Sequence, residues 1–243
     1  MAEISLGRWT VSTPAVCASV IAESSSEALS LARSAAERGA QVIELRLDAL
    51  RSRPDWNTLS RIELPVILTV RGRKEGGMFK GSESERVSLI LEGISQIRPC
   101  VDVEFSTGKA LLSRVIEAAK REGCGVILSH HNIAGTPEPA ALLRIARRME
   151  EFTCDFLKVV TMCRSWRDTK RILNFILEGK VKLSKPLISF GMGRQGVVTR
   201  FLSLVLGNPV IYAAAGRKAA PGQPDLDSVV SMLREIPAWE VKG

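Results

Sequence analysis

The chain has one tyrosine, two histidines and no apolar run longer than a strand. A membrane-crossing helix needs roughly 20 mostly apolar residues, so no span is expected. The N-terminus carries Glu3 and Arg8 among scattered apolar residues, which is not the pattern of a secretory signal. A cytoplasmic protein is the expectation. Cysteine is sparse and odd in number: Cys17, Cys100, Cys124, Cys154 and Cys163 are widely spaced and mostly lie in or beside apolar runs. That excludes a disulfide framework and offers no ligand spacing for zinc, leaving buried thiols in a reducing compartment. Basic residues exceed acidic ones, for a net charge of +8. They form no dense run and no aromatic residues interleave them, so a nucleic-acid partner is not expected. Gly191-Met192-Gly193 lacks both the Walker spacing and the dinucleotide fingerprint. It reads as a tight strand-to-helix turn, and no cofactor or metal is expected.

What is present is a regular alternation. With 243 residues, 45% hydrophobic and 25% charged, the chain can bury a large core. Strand-like runs fall at Ala15–Ile21, Val42–Leu47, Pro65–Arg71, Cys100–Phe105, Gly125–His130, Asp155–Val160, Pro186–Phe190 and Pro209–Ala214. Between them lie helical patterns, the first opened by a Ser24/Glu27 capping-box spacing and stopped by Gly39. Eight strand–helix units without a linker predict a single-domain (β/α)8 TIM barrel over residues 1–243, with a doubly wound open sheet as the alternative. Residues 1–12 precede the first unit and are expected to cover the barrel bottom.

A parallel barrel is covered on both faces, so charges inside its strands are informative. Glu44, Arg46 and Asp48 share one face of the second strand. Barrel sites gather at the C-terminal strand ends. Arg71 ends the third strand, ahead of Lys74-Glu75-Gly76-Gly77; Asp102 and Glu104 share a face of the fourth; His130 and His131 close the fifth. Adjacent strand residues point to opposite faces, so only one histidine can enter the barrel, and Glu75 stands at the same end to orient it. Lys158 lies between Phe156, Leu157, Val159 and Val160. A desolvated lysine can be a neutral nucleophile; a lysine at a barrel mouth can equally reach water or a carboxylate, and periodicity leaves both readings open. Gly216–Gln223 is a basic loop after the last strand, either a plain surface loop or a lid.

The ordered set of these motifs resembles type I 3-dehydroquinate dehydratases. Glu44-x-Arg46-x-Asp48, Arg71-x-x-x-Glu75-Gly-Gly, His131, Lys158, Met192-Gly193 with Arg200, and Ala219-Ala-Pro-Gly-Gln223 follow the family's order from about residue 14 to 235. The resemblance implies a barrel of the shikimate pathway that dehydrates 3-dehydroquinate through an imine on Lys158. It implies His131 as general acid and base, with Glu75 orienting it. Arg200 would hold the substrate carboxylate, Glu44, Arg46, Arg71 and Gln223 would hold the hydroxyls and order the pocket, and Met192 would pack on the ring. It also implies a homodimer. One departure is Ala219, where many members have serine. A class I Schiff-base aldolase and a non-catalytic anion-binding barrel are the alternatives.

Overall fold

The computed structural model describes residues 2–235. An antiparallel hairpin comes first, β1 (Glu3–Leu6) and β2 (Trp9–Ser12), turned by Gly7 at φ +68°. A Cβ at Gly7 would lie 2.6 Å from the Gly125 nitrogen, so only glycine fits there. Eight strand–helix units follow. They are β3 (Ala15–Val20), α1 (Ser25–Glu37), β4 (Val42–Arg46), α2 (Trp56–Leu59), β5 (Val66–Thr69), α3 (Glu83–Ile97), β6 (Cys100–Glu104) and α4 (Lys109–Arg121). Then come β7 (Val126–Asn132), α5 (Pro139–Glu150), β8 (Phe156–Met162), α6 (Trp166–Lys182), β9 (Leu187–Met192), α7 (Val197–Val205), β10 (Val210–Ala214) and α8 (Leu226–Glu235).

The eight strands of the units pair in parallel in the order β10-β3-β4-β5-β6-β7-β8-β9. This is a nearly closed (β/α)8 barrel in one domain. At the seam between β9 and β10, Phe190 and Tyr212 meet with ring centroids 6.0 Å apart. Alternation explains the strands' double burial. Ile43, Leu45, Leu68, Val103, Leu128 and Val159 face the helices, whereas Val42, Ile67, Cys100, Ile127, Phe156 and Ile188 fill the barrel interior. Leu6, 1% exposed, joins that inner cluster from the hairpin. No described helix is long and apolar enough to cross a membrane. All five cysteines are buried and free.

Element positions follow the sequence reading, but several boundaries shift. The sequence does not announce the hairpin, since four-residue strands without marked alternation leave little periodic signal. The second strand stops at Arg46, and Leu47–Ala49 form a 3-10 turn. The short helix after it is one turn, capped by Asp55. The capping box of α1 is displaced: Ser24 accepts the Glu27 N–H at 3.2 Å, a cap worth about 1 kcal/mol, but the Glu27 carboxylate accepts from the N–H of Glu23. Strands β7, β8 and β9 each run about two residues further than read, which carries His131 inside the sheet.

Candidate functional site

One cavity of about 270 Å³ opens at the C-terminal ends of the strands. Every residue singled out for the site lines it: Glu44, Arg46, Arg71, Glu75, His131, Lys158, Met192, Arg200 and Gln223. Asp48 lies behind, on the 3-10 turn, and grips Arg46 with two bonds of 2.8 and 2.9 Å. Burial pushes the Asp48 carboxyl up, but the Arg46 charge outweighs it and holds it below its ordinary value. Asp48 also accepts the Met78 N–H at 3.0 Å, tying the Glu75 loop to β4.

At the centre is Lys158, only 3% exposed. Its Nζ donates to Asp102 Oδ2 at 2.9 Å, lies 3.5 Å from Glu44 Oε1, and stands 4.0 Å from the centre of the Tyr212 ring. Glu44, Asp102, Lys158 and Tyr212 come from alternate strands β4, β6, β8 and β10. They occupy the kind of four-residue layer that branched apolar side chains usually fill in such barrels. Burial pushes the Asp102 carboxyl up, yet Arg71 and Lys158 together overcome this and hold it far below the usual carboxylate range. Asp102 therefore stays ionised and serves as a fixed counter-charge, not as a base.

Beside this layer is the His131–Glu75 pair. His131 registers with Val160 of the inner cluster, and His130 with Val159, which packs outward. The His131 side chain is 11% exposed. Its Nδ1 lies 3.0 Å from Glu75 Oε2, which also accepts the His131 backbone N–H at 2.9 Å. Ser106 Oγ donates to the other Glu75 oxygen at 2.7 Å. Burial pushes Glu75 up to about 7, against the pull of Arg71. Burial, then the Arg71 and Lys158 cations, push His131 well below its ordinary value, so its imidazole is neutral.

Arg71 is anchored from several sides. Nη2 donates to Asp102 at 2.6 Å and Nη1 to Ser129 Oγ at 2.8 Å, with Glu104 at 3.4 Å and Glu75 at 3.6 Å. The following loop turns back on it so closely that a Cβ at Gly77 would lie 2.0 Å from the Arg71 carbonyl oxygen. Arg200, on α7, differs from the other cations. It is 2% exposed, its Nε has no hydrogen-bond partner among the described residues, and its guanidinium lies 4.2 Å from the centre of the Phe190 ring. Burial lowers it to about 10, against the attraction of Glu44. A buried guanidinium with no salt-bridge partner among the described residues is suited to receive an anion.

The loop after β10 covers the cavity with Ala219, Ala220, Pro221 and Gln223. Gln223 Nε2 donates to Ser19 Oγ at 3.0 Å, and Ser19 Oγ in turn donates to Glu44. Gln223 Oε1 accepts the Ala219 N–H at 2.6 Å, and the Gly193 N–H donates to the Pro221 carbonyl at 2.9 Å. Gly222, at φ +76°, makes the turn that this seating needs.

Ser19, Asp102, Ser129 and Tyr212 escape selection as site residues when the sequence is read alone. Asp102 has a visible signal, an acid inside a buried strand. Tyr212 is the lone tyrosine in an apolar strand, and nothing in its neighbours says it faces a lysine. No group of metal-ligating side chains occurs among the described residues.

A parallel barrel whose strand ends surround a cavity of buried, mutually oriented charges is the arrangement of a barrel enzyme. The family model for type I 3-dehydroquinase matches residues 16–238. The 3-dehydroquinate dehydratase of Methanothermobacter thermautotrophicus is 34% identical over 224 residues, covering 91% of this chain and 96% of the relative. That of Methanosarcina barkeri is 34% identical over 242 residues, covering 95% and 98%. The crystal structure of 3-dehydroquinate dehydratase from Geobacillus kaustophilus superposes with a TM-score of 0.86 at 27% identity, covering 97% of this chain and 98% of that one. The chain belongs to the type I 3-dehydroquinase family.

Proposed function

We propose that this enzyme dehydrates 3-dehydroquinate to 3-dehydroshikimate, a step of the shikimate pathway, through an imine on Lys158. The observation that carries this reading is one cavity holding three differently prepared groups: a buried lysine, a neutral histidine braced by a carboxylate, and an arginine with no salt-bridge partner among the described residues. Arg200 suits the substrate carboxylate, and this placement sets the ring in the cavity. Lysine attacks a ketone only as the free amine, so its ammonium proton must leave first. Asp102 stays ionised and holds the side chain in place, while neutral His131 can accept a proton. Attack at C3 gives a carbinolamine; His131 returns the proton to its hydroxyl, which leaves as water, so that a cationic imine remains and His131 is neutral again. That cation draws electrons from the adjacent C2–H bond. His131 removes the C2 proton, the electron pair moves into the imine, and its return expels the C1 hydroxyl, which leaves as water with a proton from His131. Hydrolysis of the imine then frees the ketone and Lys158.

Glu75 fixes the His131 ring through Nδ1, leaving Nε2 for the substrate. Glu44, Arg46, Arg71 and Gln223 bind or order around the hydroxyls, with Arg71 chiefly a brace for Asp102 and Glu75. Met192 packs on the ring, and the Ala219–Gln223 loop shields it from water. Reduction with borohydride in the presence of 3-dehydroquinate tests the reading: the ligand mass should appear on a Lys158 peptide, and labelling at Lys74 or Lys218 would refute it. We further propose a cytoplasmic homodimer. The outer face of α7 supports this, because Val198, Leu202 and Val205 are exposed at helical spacing and the helix's one charged residue, Arg200, is buried. Light scattering of Leu202→Glu beside the unaltered chain tests it; a monomer in both cases would exclude the dimer.

A further inference from the structure

Arg86 lies outside the cavity, in the first turn of α3, and is 1% exposed. Its Nη1 donates to the Val70 carbonyl at 2.9 Å. Its Nη2 donates to Thr107 Oγ1 at 2.6 Å, is held by Glu83, and lies 3.4 Å from Glu104 Oε2. The other oxygen of Glu104 accepts the Gly72 N–H at 2.8 Å and lies 3.4 Å from Arg71 Nη1. Val70 and Gly72 are the two neighbours of Arg71. A single buried ion pair thus grips the backbone on both sides of Arg71 and touches its guanidinium as well. The loop that carries Glu75 starts at the same point, with the Glu75 and Gly77 N–H groups both returning to the Gly72 carbonyl at 3.1 and 3.0 Å. Charges therefore run without a break from Glu83 at the surface through Arg86, Glu104, Arg71 and Asp102 to Lys158.

A buried ion pair adds little stability over apolar side chains of the same volume, so stability alone gives poor reason for a charge chain through a barrel wall. We infer that Arg86 and Glu104 are positioning residues of the site: they clamp Arg71 and so set the alignment and proton balance of Glu75 and His131. This rests on the proposed dehydration only in assigning work to that pair. The charges facing His131 and Glu75 are Arg46 from β4, Arg71 from the end of β5, Asp102 and Glu104 from β6, and Lys158 from β8. Arg86 is the cation that opposes Glu104 from outside the barrel.

The test uses Arg86→Met, Arg86→Lys, Glu104→Gln and the double variant Arg86→Met/Glu104→Gln. Two readouts are taken: turnover of 3-dehydroquinate, and titration of the His131 ring by NMR in ligand-free protein carrying His130→Gln. Arg86→Met removes the cation that opposes Glu104 from outside the barrel and leaves only Arg71 to offset it, so the His131 midpoint should rise by about half a pH unit or more, and kcat should fall roughly tenfold with KM within about threefold. The double variant should return the midpoint towards that of the unaltered chain. Arg86→Lys keeps the charge but not the fork, so it should hold the midpoint and lose part of kcat. If Arg86→Met lowers only Tm, leaving kcat and the midpoint unchanged, the residue is purely structural and the inference fails. Should Arg86→Met not fold, Glu104→Gln decides: a lowered midpoint supports the clamp, and an unchanged midpoint and kcat overturn it. Failure of the unaltered enzyme to turn over 3-dehydroquinate would sink the functional reading, and the NMR titration would still decide this one.

Discussion

Replacing Glu75 with glutamine should change how stability depends on pH. Glu75 is 6% exposed, and burial raises it from 4.5 to about 7 in the folded protein. Between those values the folded state holds a proton that the unfolded chain has released. The folded state binds more protons there, so stability must fall as pH rises through that window. A shift of about two and a half pH units, at about 1.4 kcal/mol each, makes the ionised carboxylate destabilising by the order of 3 kcal/mol above about pH 7. The two histidines act in the opposite sense. Burial, joined at His131 by Arg71 and Lys158, holds both below their ordinary value. The unfolded chain therefore protonates first, and stability gained from them rises with pH to about 6.5. Both histidines are present in both proteins, and the amide oxygen of the Glu75→Gln variant can still accept from His131 Nδ1–H, so the difference between the two proteins isolates position 75. Urea unfolding at about pH 5 and about pH 8 measures it. The variant should gain stability relative to the unaltered chain, by up to about 3 kcal/mol, on going from the lower to the higher pH. An equal difference at both pH values would refute a raised Glu75. Turnover should drop in the same variant, since the strain of this carboxylate serves the histidine.

Three further outcomes are expected. His131→Ala should lower kcat by roughly 10²–10⁴, the range of general acid–base catalysis, while His130→Ala, on the outward face, should change it little; equal losses would contradict the strand register. Arg200→Met should raise KM roughly 10- to 150-fold through loss of a charge-assisted hydrogen bond, yet raise Tm, because it removes a buried charge that has no salt-bridge partner among the described residues; a lowered Tm would show that Arg200 is paired within the protein. Gln223→Ala should raise KM clearly by releasing Ser19 and Ala219 together, whereas Ala219→Ser should change it by no more than about tenfold; limited proteolysis that saturating 3-dehydroquinate leaves unaffected would argue against a lid.

The sequence by itself determined the eight units, their order and the strand faces. Strands buried on both sides must be apolar almost throughout, so each charge inside them stands out, and period-two alternation then tells which way it points. Lys158, Arg71, the Glu44–Arg46 stripe and the rule that only one of the two histidines enters the barrel were legible for this reason; that it is His131 came with the family resemblance. Their order along the chain also carried the family resemblance. The tertiary structure decided what touches what. Asp102 becomes the partner of Lys158 only because β6 and β8 lie two strands apart around a curved sheet. Tyr212 reaches the lysine only where the two ends of the sheet meet. Arg71, which the resemblance implies holds hydroxyls and orders the pocket, is itself held by Asp102, Ser129 and Glu104, partners on other strands. Arg86, an ordinary position in a helix pattern, is fully buried against a loop 16 residues earlier and a strand end after its own helix. Periodicity reports local geometry along one segment. Ion pairs between segments depend on barrel stagger and loop closure, which no single stretch of sequence encodes.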